Sequence, residues 1–599
     1  MGAENRPPHV HSLEKDMPPL QPSQPIESAS GASKKKAVKA LAILIAVVVA
    51  VFLLIGIARP GLVRTVFTGI LPLQQNSMTA TSGGVSTDVL VDAASNPAAG
   101  TNEGERLGIL KRILEMIRNF LSKPTSTNGE VDAFSSSANK GVIEPVLSYA
   151  PTCTSSCATG CLSGTEVQAI ESFDGKLYAG TSNWMETLAC VWPATSAQIN
   201  VLSTEAGSWQ RTPDLPKSSK CATGAAAWEQ VNDLHAATFT TRGALSKHLF
   251  ASTLVNEDGA CPGLQASVFY LDARGQSWIN TGLDARLETF YGAMQTEVRY
   301  METFSDGSAE CPSERPCLFA FVGPRKRVTP PKFPSVWRGR YDPGNTACSL
   351  ICWDAAPEVS LDGIQAPVAA RILSSDAGEN GLFFGTGAYE SGKCPDADKL
   401  SCHRAALMQR VAPKTWTPVW LGPPVQEKDA DEAVRGISSW KYPGGAVSLW
   451  FITIPKGAVY RVDALSGGRS EPVVEARLTD LIPEPCNARI LPYQIYIHRQ
   501  GSGDANPELL VASESCGTSI RNSVARIFHR PVSGGSAWSY LEMPELTYAY
   551  EGSRANPAAV RWIQTSPFDS GNIFFGTTDM NSGDGSLTGR IYRLDTPFD

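Results

Sequence analysis

The chain has 599 residues, 42% of them hydrophobic and 19% charged, and a formal net charge of -7. That length suits one oversized repeat fold or roughly two to four ordinary domains, and mild acidity without a basic block argues against a nucleic-acid partner. Its 14 cysteines all follow the apolar run described next, and their even number suits a chain that oxidises after export.

Residues 1–36 are rich in Pro, Ser and Gln without apolar periodicity, which predicts a disordered tail. Residues 37–58 contain the uncharged run Ala40–Ala58, which at about 1.5 Å per residue crosses a hydrocarbon core of roughly 30 Å as a single helix. Lys34, Lys35, Lys36 and Lys39 precede it while only Arg59 and Arg64 follow closely, so the positive-inside bias places the tail in the cytoplasm and the bulk of the chain in the periplasm or outside the cell. A cleaved signal peptide is the competing reading, but the run exceeds the usual apolar length of about 7–15 residues. Residues 59–140 form a Ser/Thr/Ala/Gly-rich linker or stalk interrupted near 104–122, where Leu110, Ile113, Leu114, Ile117 and Leu121 recur at helical spacing. This short amphipathic helix fits docking on the head or on the bilayer surface, or a brief oligomerising stalk; it is too short to specify an oligomeric state.

Residues 141–599 repeat themselves. A strand-like run recurs as KLYAGTSN, HLFASTLVN, CLFAFVG, GLFFGTGAY, SLWFITIP, ELLVASES and NIFFGTTDM, with copies 60 to 72 residues apart. A first strand precedes each copy (VQAIESF, VNDLHAATF, VRYMETF, ARILSS, VRGISSW, ARILPYQ, VRWIQTS), and a third follows, as in PSVWRGRYD and GAVYRVDALSGG. Trp209, Trp278, Trp416 and Trp538 then begin outer strands. Four strands per unit predict an all-β, seven-bladed β-propeller; six blades stay open because the third unit is long and irregular in the middle. The strand VIEPVLSYAP that precedes the first unit is expected to complete the last unit and close the ring, leaving no unpaired edges.

This order of an Arg-bearing strand, LYxGT, a VWR or VYR strand and a Trp resembles tandem propeller repeats of bacterial and archaeal exported proteins, best in VQAIESFDGKLYAGTSN and NIFFGTTDMNSGDGSLTGRIYRLD. The resemblance covers about three quarters of the chain; it implies the fold and no particular activity. The layout of tail, anchor, stalk and head is also similar to that of paramyxovirus attachment glycoproteins, but the chain has neither an NRKSCS hexapeptide nor an N-x-S/T sequon.

Gln168, Asn232, Arg299, Arg371, Arg435, Arg489 and Arg561 each follow the Val or Ala of a first strand, so propeller symmetry would gather five guanidiniums at one mouth of the central channel. Planar forks bind carboxylate, phosphate or sulfate bidentately, which points to an acidic saccharide or a protein partner; the alternative is that each Arg pairs with an acid or carbonyl and cements the ring. Glu166, Glu171, Glu297, Glu302 and Glu432 are the nearby acids. With Tyr300 beside Arg299 they suggest a glycan hydrolase or lyase of sialidase type as the runner-up to a binding module, although the Asp-box is only partly echoed in DARGQSW and SGGSAW. No nucleophile elbow, zinc helix or phosphate loop is present. No cofactor is expected, apart from weak calcium-loop character at Asp579 and Asp584. Cys153, Cys157 and Cys161 lack a nearby His and read as disulfide formers, while Cys311 with Cys317, Cys348 with Cys352 and Cys394 with Cys402 are spaced to staple single loops.

Overall fold

The computed structural model describes residues 140–142 and most of 166–594; residues 1–139 and 143–165 lie outside the described residues, as do short stretches such as 183–196, 389–404, 424–432 and 579–589. The expected tail, membrane helix and amphipathic helix therefore fall outside them, with Glu432, the calcium-type loop, Cys394, Cys402 and the Cys153 cluster. Among the described residues no helix is long and apolar enough to cross a membrane.

The described strands form seven successive antiparallel units in a mostly β, propeller-like arrangement. Inner strands are Glu166–Phe173, Trp228–Thr241, Thr296–Phe304, Ala370–Gly378, Ala433–Lys441, Ile490–His498 and Ala559–Thr565. Each hairpins into a second strand, Lys176–Ser182, Ala244–Val255, Cys317–Pro324, Gly381–Ala388, Val447–Ile454, Glu508–Ser515 or Ile573–Thr578. These second strands are buried almost end to end, because a neighbouring sheet covers each face, and so they read as unbroken apolar runs in the sequence.

Each inner strand packs beside the inner strands of the units before and after it, the seventh beside the first. Apolar clusters fill the gaps between sheets: Phe321 against Phe384 between units 3 and 4, Trp450 against Phe528 between units 5 and 6, Val167 against Phe574 between units 7 and 1. The third-strand arginines add ionic contacts between sheets. Arg410 of unit 4 meets Asp306 and Glu358 of unit 3 at 2.8 Å each, and Arg530 of unit 6 meets Glu475 of unit 5 at 3.0 Å.

Lys140–Val142 runs parallel to Ser539–Glu542, the outer strand of unit 6, and covers that edge. Beyond Val142 the rest of the strand VIEPVLSYAP, expected to complete unit 7, lies outside the described residues. The described ring closes where Thr578 of unit 7 pairs with Glu166 of unit 1. The sequence reading also did not anticipate a helix, Leu283–Tyr291, which buries Leu283, Leu287 and Tyr291 between units 2 and 3.

Among the described residues three disulfides join Cys221 to Cys261, Cys311 to Cys317 and Cys348 to Cys352. The two short staples match the expected spacing, the longer one was not anticipated, and the set suits an extracytoplasmic domain.

Candidate functional site

Every inner strand carries a register shift against its hairpin partner, which marks equivalent positions better than sequence similarity does. The shifts fall at Gln168, Asn232, Arg299, Leu373, Arg435–Gly436, Tyr493 and Arg561. A bulged residue leaves the ladder and its side chain is re-aimed. Arg371 and Arg489 are thus not equivalent to the other five: Leu373 and Tyr493 hold their places. The cause lies in the core residue before the bulge. In unit 4 this is buried Ile372, not the Ala370 that mimics the Val-Arg pattern, so Arg371 falls two places early. Arg489 precedes its strand altogether and is exposed.

At the level of the bulges, Gln168, Asn232, Arg299, Tyr300, Arg435, Tyr493, Arg561 and Trp562 line a recess of about 20 Å³, room for one or two water-sized particles. Arg371 reaches the same cluster through Glu297, whose Oε1 accepts from Arg371 Nη2 at 2.7 Å and from Arg299 Nε at 2.9 Å. Burial pushes the Glu297 carboxyl up, but the two guanidiniums outweigh it and hold the group at about 2. Arg561 pairs with Glu166 at 2.5 Å and donates from Nε to Thr578 Oγ1 at 2.8 Å, across the closing seam. Arg435 has no carboxylate partner among the described residues. It lies 4.0 Å from the ring centre of Tyr493, and Arg561 lies 3.9 Å from the same centre. Tyr493 donates its hydroxyl to Glu514 at 2.6 Å.

A larger cavity of about 390 Å³ adjoins the recess and shares Tyr300, Tyr493 and Trp562 with it. Three places after the bulge, the inner strands present Glu171, His235, Glu302, Asp376, Ser439, Tyr496 and Gln564, all of them in its lining, and Asp233 joins from one place after. The four carboxyls are held toward the neutral form. Burial raises Asp233 to about 8 against the Met301 and Leu234 amides, and raises Asp376 to about 6 against a hydrogen bond from Ser439. Glu171 is raised well above its ordinary value by burial and then by Asp233; Glu302 likewise by burial, then by Asp376 and Asp233. Burial lowers His235 to about 4. Donors meet three of these acids: Ser375 Oγ on Glu302 at 2.9 Å, Ser439 Oγ on Asp376 at 2.7 Å and the Met301 amide on Asp233 at 2.7 Å. Trp440, with Arg499 at 4.6 Å over its ring, and Trp562 supply aromatic wall.

Glu166, Glu171, Glu297 and Glu302 were legible as candidates, whereas Asp233 and Asp376 were missed. Counting three places from the bulge finds Asp376; the signal for that count is the core Val or Ile that precedes every bulge but that of unit 6, where Pro492 stands. No group of three or more metal-type ligands occurs among the described residues. Asp272, in the partial Asp-box echo, accepts from the Arg274 and Gln276 amides and from Ser277 Oγ, a turn-forming role.

No protein-family description matches the chain, and no curated protein matches it. Among solved structures it is similar to the extracellular domain of a protein described as a hybrid two-component system from B. thetaiotaomicron (14% identity, TM-score 0.37), covering 72% of this chain and 40% of that one. An ulvan lyase bound to its saccharide gives 10% identity and TM-score 0.34 over 73% and 93% of the two chains. The intramolecular trans-sialidase of Ruminococcus gnavus gives 10% identity and TM-score 0.32 over 71% and 93%. Likenesses this distant transfer neither activity nor ligand.

Proposed function

We propose that this chain is a membrane-anchored extracytoplasmic binding module, built as a seven-bladed β-propeller, that takes a hydroxyl-rich saccharide unit into its axial channel. The observation that carries the reading is the 390 Å³ cavity walled by four carboxyls held toward neutrality, the hydroxyls of Ser374, Ser375, Ser438, Ser439 and Tyr496, and two Trp rings. Its size falls in the range of small-ligand sites, about 300–1,000 Å³. Neutral carboxyls and hydroxyls both donate and accept, as a sugar's hydroxyls require, and indole faces cover its apolar C–H side. The arginine level plays another part: two carboxylates engage three of its guanidiniums, and the space between them is too small for a sugar ring. The anchor at Ala40–Ala58 and the cytoplasmic tail belong to this reading on charge and hydropathy, and the disulfides support the outward-facing head.

A glycan array probed with the full-length protein in detergent, beside Glu302→Gln and Trp562→Ala, tests the proposal. Neutral oligosaccharides should bind, and each substitution should weaken binding about tenfold or more, the scale of one lost buried hydrogen bond or stacking contact. Absence of any saccharide binding by the wild type, or equal binding by both variants, overturns it. Acidic glycans bound through Arg435, and lost in Arg435→Gln, would restore the arginine-mouth reading instead. A second reading, cleavage of a glycosidic bond, is favoured by Glu302, a buried carboxyl kept protonated as a general acid must be. Shortened products after incubation, absent with Glu302→Gln, would establish it.

A further inference from the structure

The recess at the bulge level holds a buried cation, Arg435, whose charge no carboxylate among the described residues meets. Three guanidiniums line it, those of Arg299, Arg435 and Arg561; Glu297 engages Arg299 and Glu166 engages Arg561. Arg435 meets no carboxylate among the described residues, and its buried Nε has no hydrogen-bond partner there. Trp562, which lines the same recess, has a buried Nε1–H equally without an acceptor. Asn232 holds its place by donating Nδ2 to the Val298 carbonyl at 3.0 Å. Burial, reinforced by Arg561 and Arg299, lowers the pKa of Arg435 against the opposing pull of Tyr493, as happens to a cation lacking its counter-ion. An uncompensated buried charge and two orphaned donors are each costly, and one species removes all three costs.

We infer that the recess between Arg299, Arg435, Arg561 and Trp562 is a binding site for one small inorganic anion of halide size. The size follows from the roughly 20 Å³ available, which suits a single compact ion and leaves no room for a sugar carboxylate with its ring. The charge follows from Arg435, a buried guanidinium in the lining with no carboxylate partner among the described residues, which water would hydrogen-bond without neutralising. An ion seated there would tie Arg435 of unit 5 to Arg561 of unit 7 and Arg299 of unit 3 through one centre. Tyr493 already lies between the first two arginines, stacked against both. The site would thus act as a pin through the axis, independent of whether a saccharide occupies the larger cavity.

The test is the thermal midpoint of the full-length protein in detergent, titrated with sodium chloride, bromide or sulfate against sodium gluconate at constant ionic strength. Chloride and bromide should raise the midpoint saturably and sulfate should not; in Arg435→Gln the halide concentration at half effect should rise about tenfold or more, the scale of one charge-assisted hydrogen bond. A wild type indifferent to halide, as it would be if a carboxylate outside the described residues already paired with Arg435, overturns the inference. So does a halide response that survives the substitution unchanged. Should Arg435→Gln fail to fold, chloride-35 line broadening in the wild type and in Trp562→Phe decides. Excess broadening displaced by bromide, and reduced in the variant, supports the site, and broadening no greater than that of an unrelated protein overturns it. Neither result depends on saccharide binding, so the two proposals fail separately.

Discussion

Residue by residue, carboxyls held toward neutrality adjoin a level of buried guanidiniums, and pH should reveal it. A carboxyl whose folded-state pKa is raised keeps its proton over a window in which the unfolded chain has released it. Its contribution to stability is therefore greatest below its ordinary value and is lost as pH rises through the folded one. Asp233, at about 8, and Asp376, at about 6, behave this way, with Glu171 and Glu302 in the same direction. His235, lowered to about 4, acts oppositely and costs stability as pH falls below its ordinary 6.5. Glu297, held at about 2 by Arg299 and Arg371, adds stability above its ordinary 4.5 that is lost only in strong acid. Between about pH 6.5 and 8 His235 and Glu297 are silent and the raised carboxyls dominate, so the thermal midpoint should fall across that range. Asp233→Asn, which keeps an oxygen for the Met301 amide, should flatten the decline; a midpoint that climbs from pH 6.5 to 8, or an unchanged slope in the variant, would contradict the assignment.

The elements are held in a ring by close approach as much as by apolar area, and the glycine of the LYxGT pattern shows why it recurs. A Cβ built on Gly180 would stand 2.5 Å from Val231 Cγ1, and one on Gly576 would stand 2.7 Å from Val167 Cγ1 and 2.9 Å from the Val167 carbonyl oxygen. Each glycine makes room for the core Val that precedes the bulge of the next inner strand, and Gly576 does so across the closing seam. Gly576→Val should therefore destabilise the head by about 1–3 kcal/mol or more through overpacking. Gly444→Ala, where an added Cβ meets nothing within 4 Å, should stay within about 0.5 kcal/mol. Equal denaturation midpoints for the two variants would dismiss this account of the seam. The same contacts explain what was legible in the sequence. Second strands covered on both faces announce themselves as apolar runs, so the repeat and its seven units could be counted. A bulge has no residue signature of its own, so Ala370-Arg371 passed for Val-Arg, Tyr493 went unnoticed, and the carboxyl level one turn of the count deeper was only half seen.

For the molecule as a whole, the disulfides bear most directly on the proposed outward-facing placement of the propeller. Cys221 lies between units 1 and 2 and Cys261 within unit 2, so their bond closes a stretch of 40 residues around the start of the second inner strand. On the chain-entropy estimate such a loop is worth about 4 kcal/mol, and the tight loop closed by Cys311 and Cys317 about 2 kcal/mol. Cys261 is fully buried in the apolar cluster shared by units 1 to 3, so reduction would leave a thiol there with little access to reagent. Protein recovered from the membrane of an exporting host should consequently yield the 221–261, 311–317 and 348–352 linkages in non-reducing peptide maps. The same chain lacking its apolar run and made in a reducing cytosol should unfold at a clearly lower denaturant concentration and recover part of the difference on oxidation. If both preparations carry free thiols at these positions and unfold together, an outward-facing head is the wrong topology. The positive-inside argument from Lys34–Lys39 would fall with it, because the same export step that orients the anchor delivers the cysteines to an oxidising compartment.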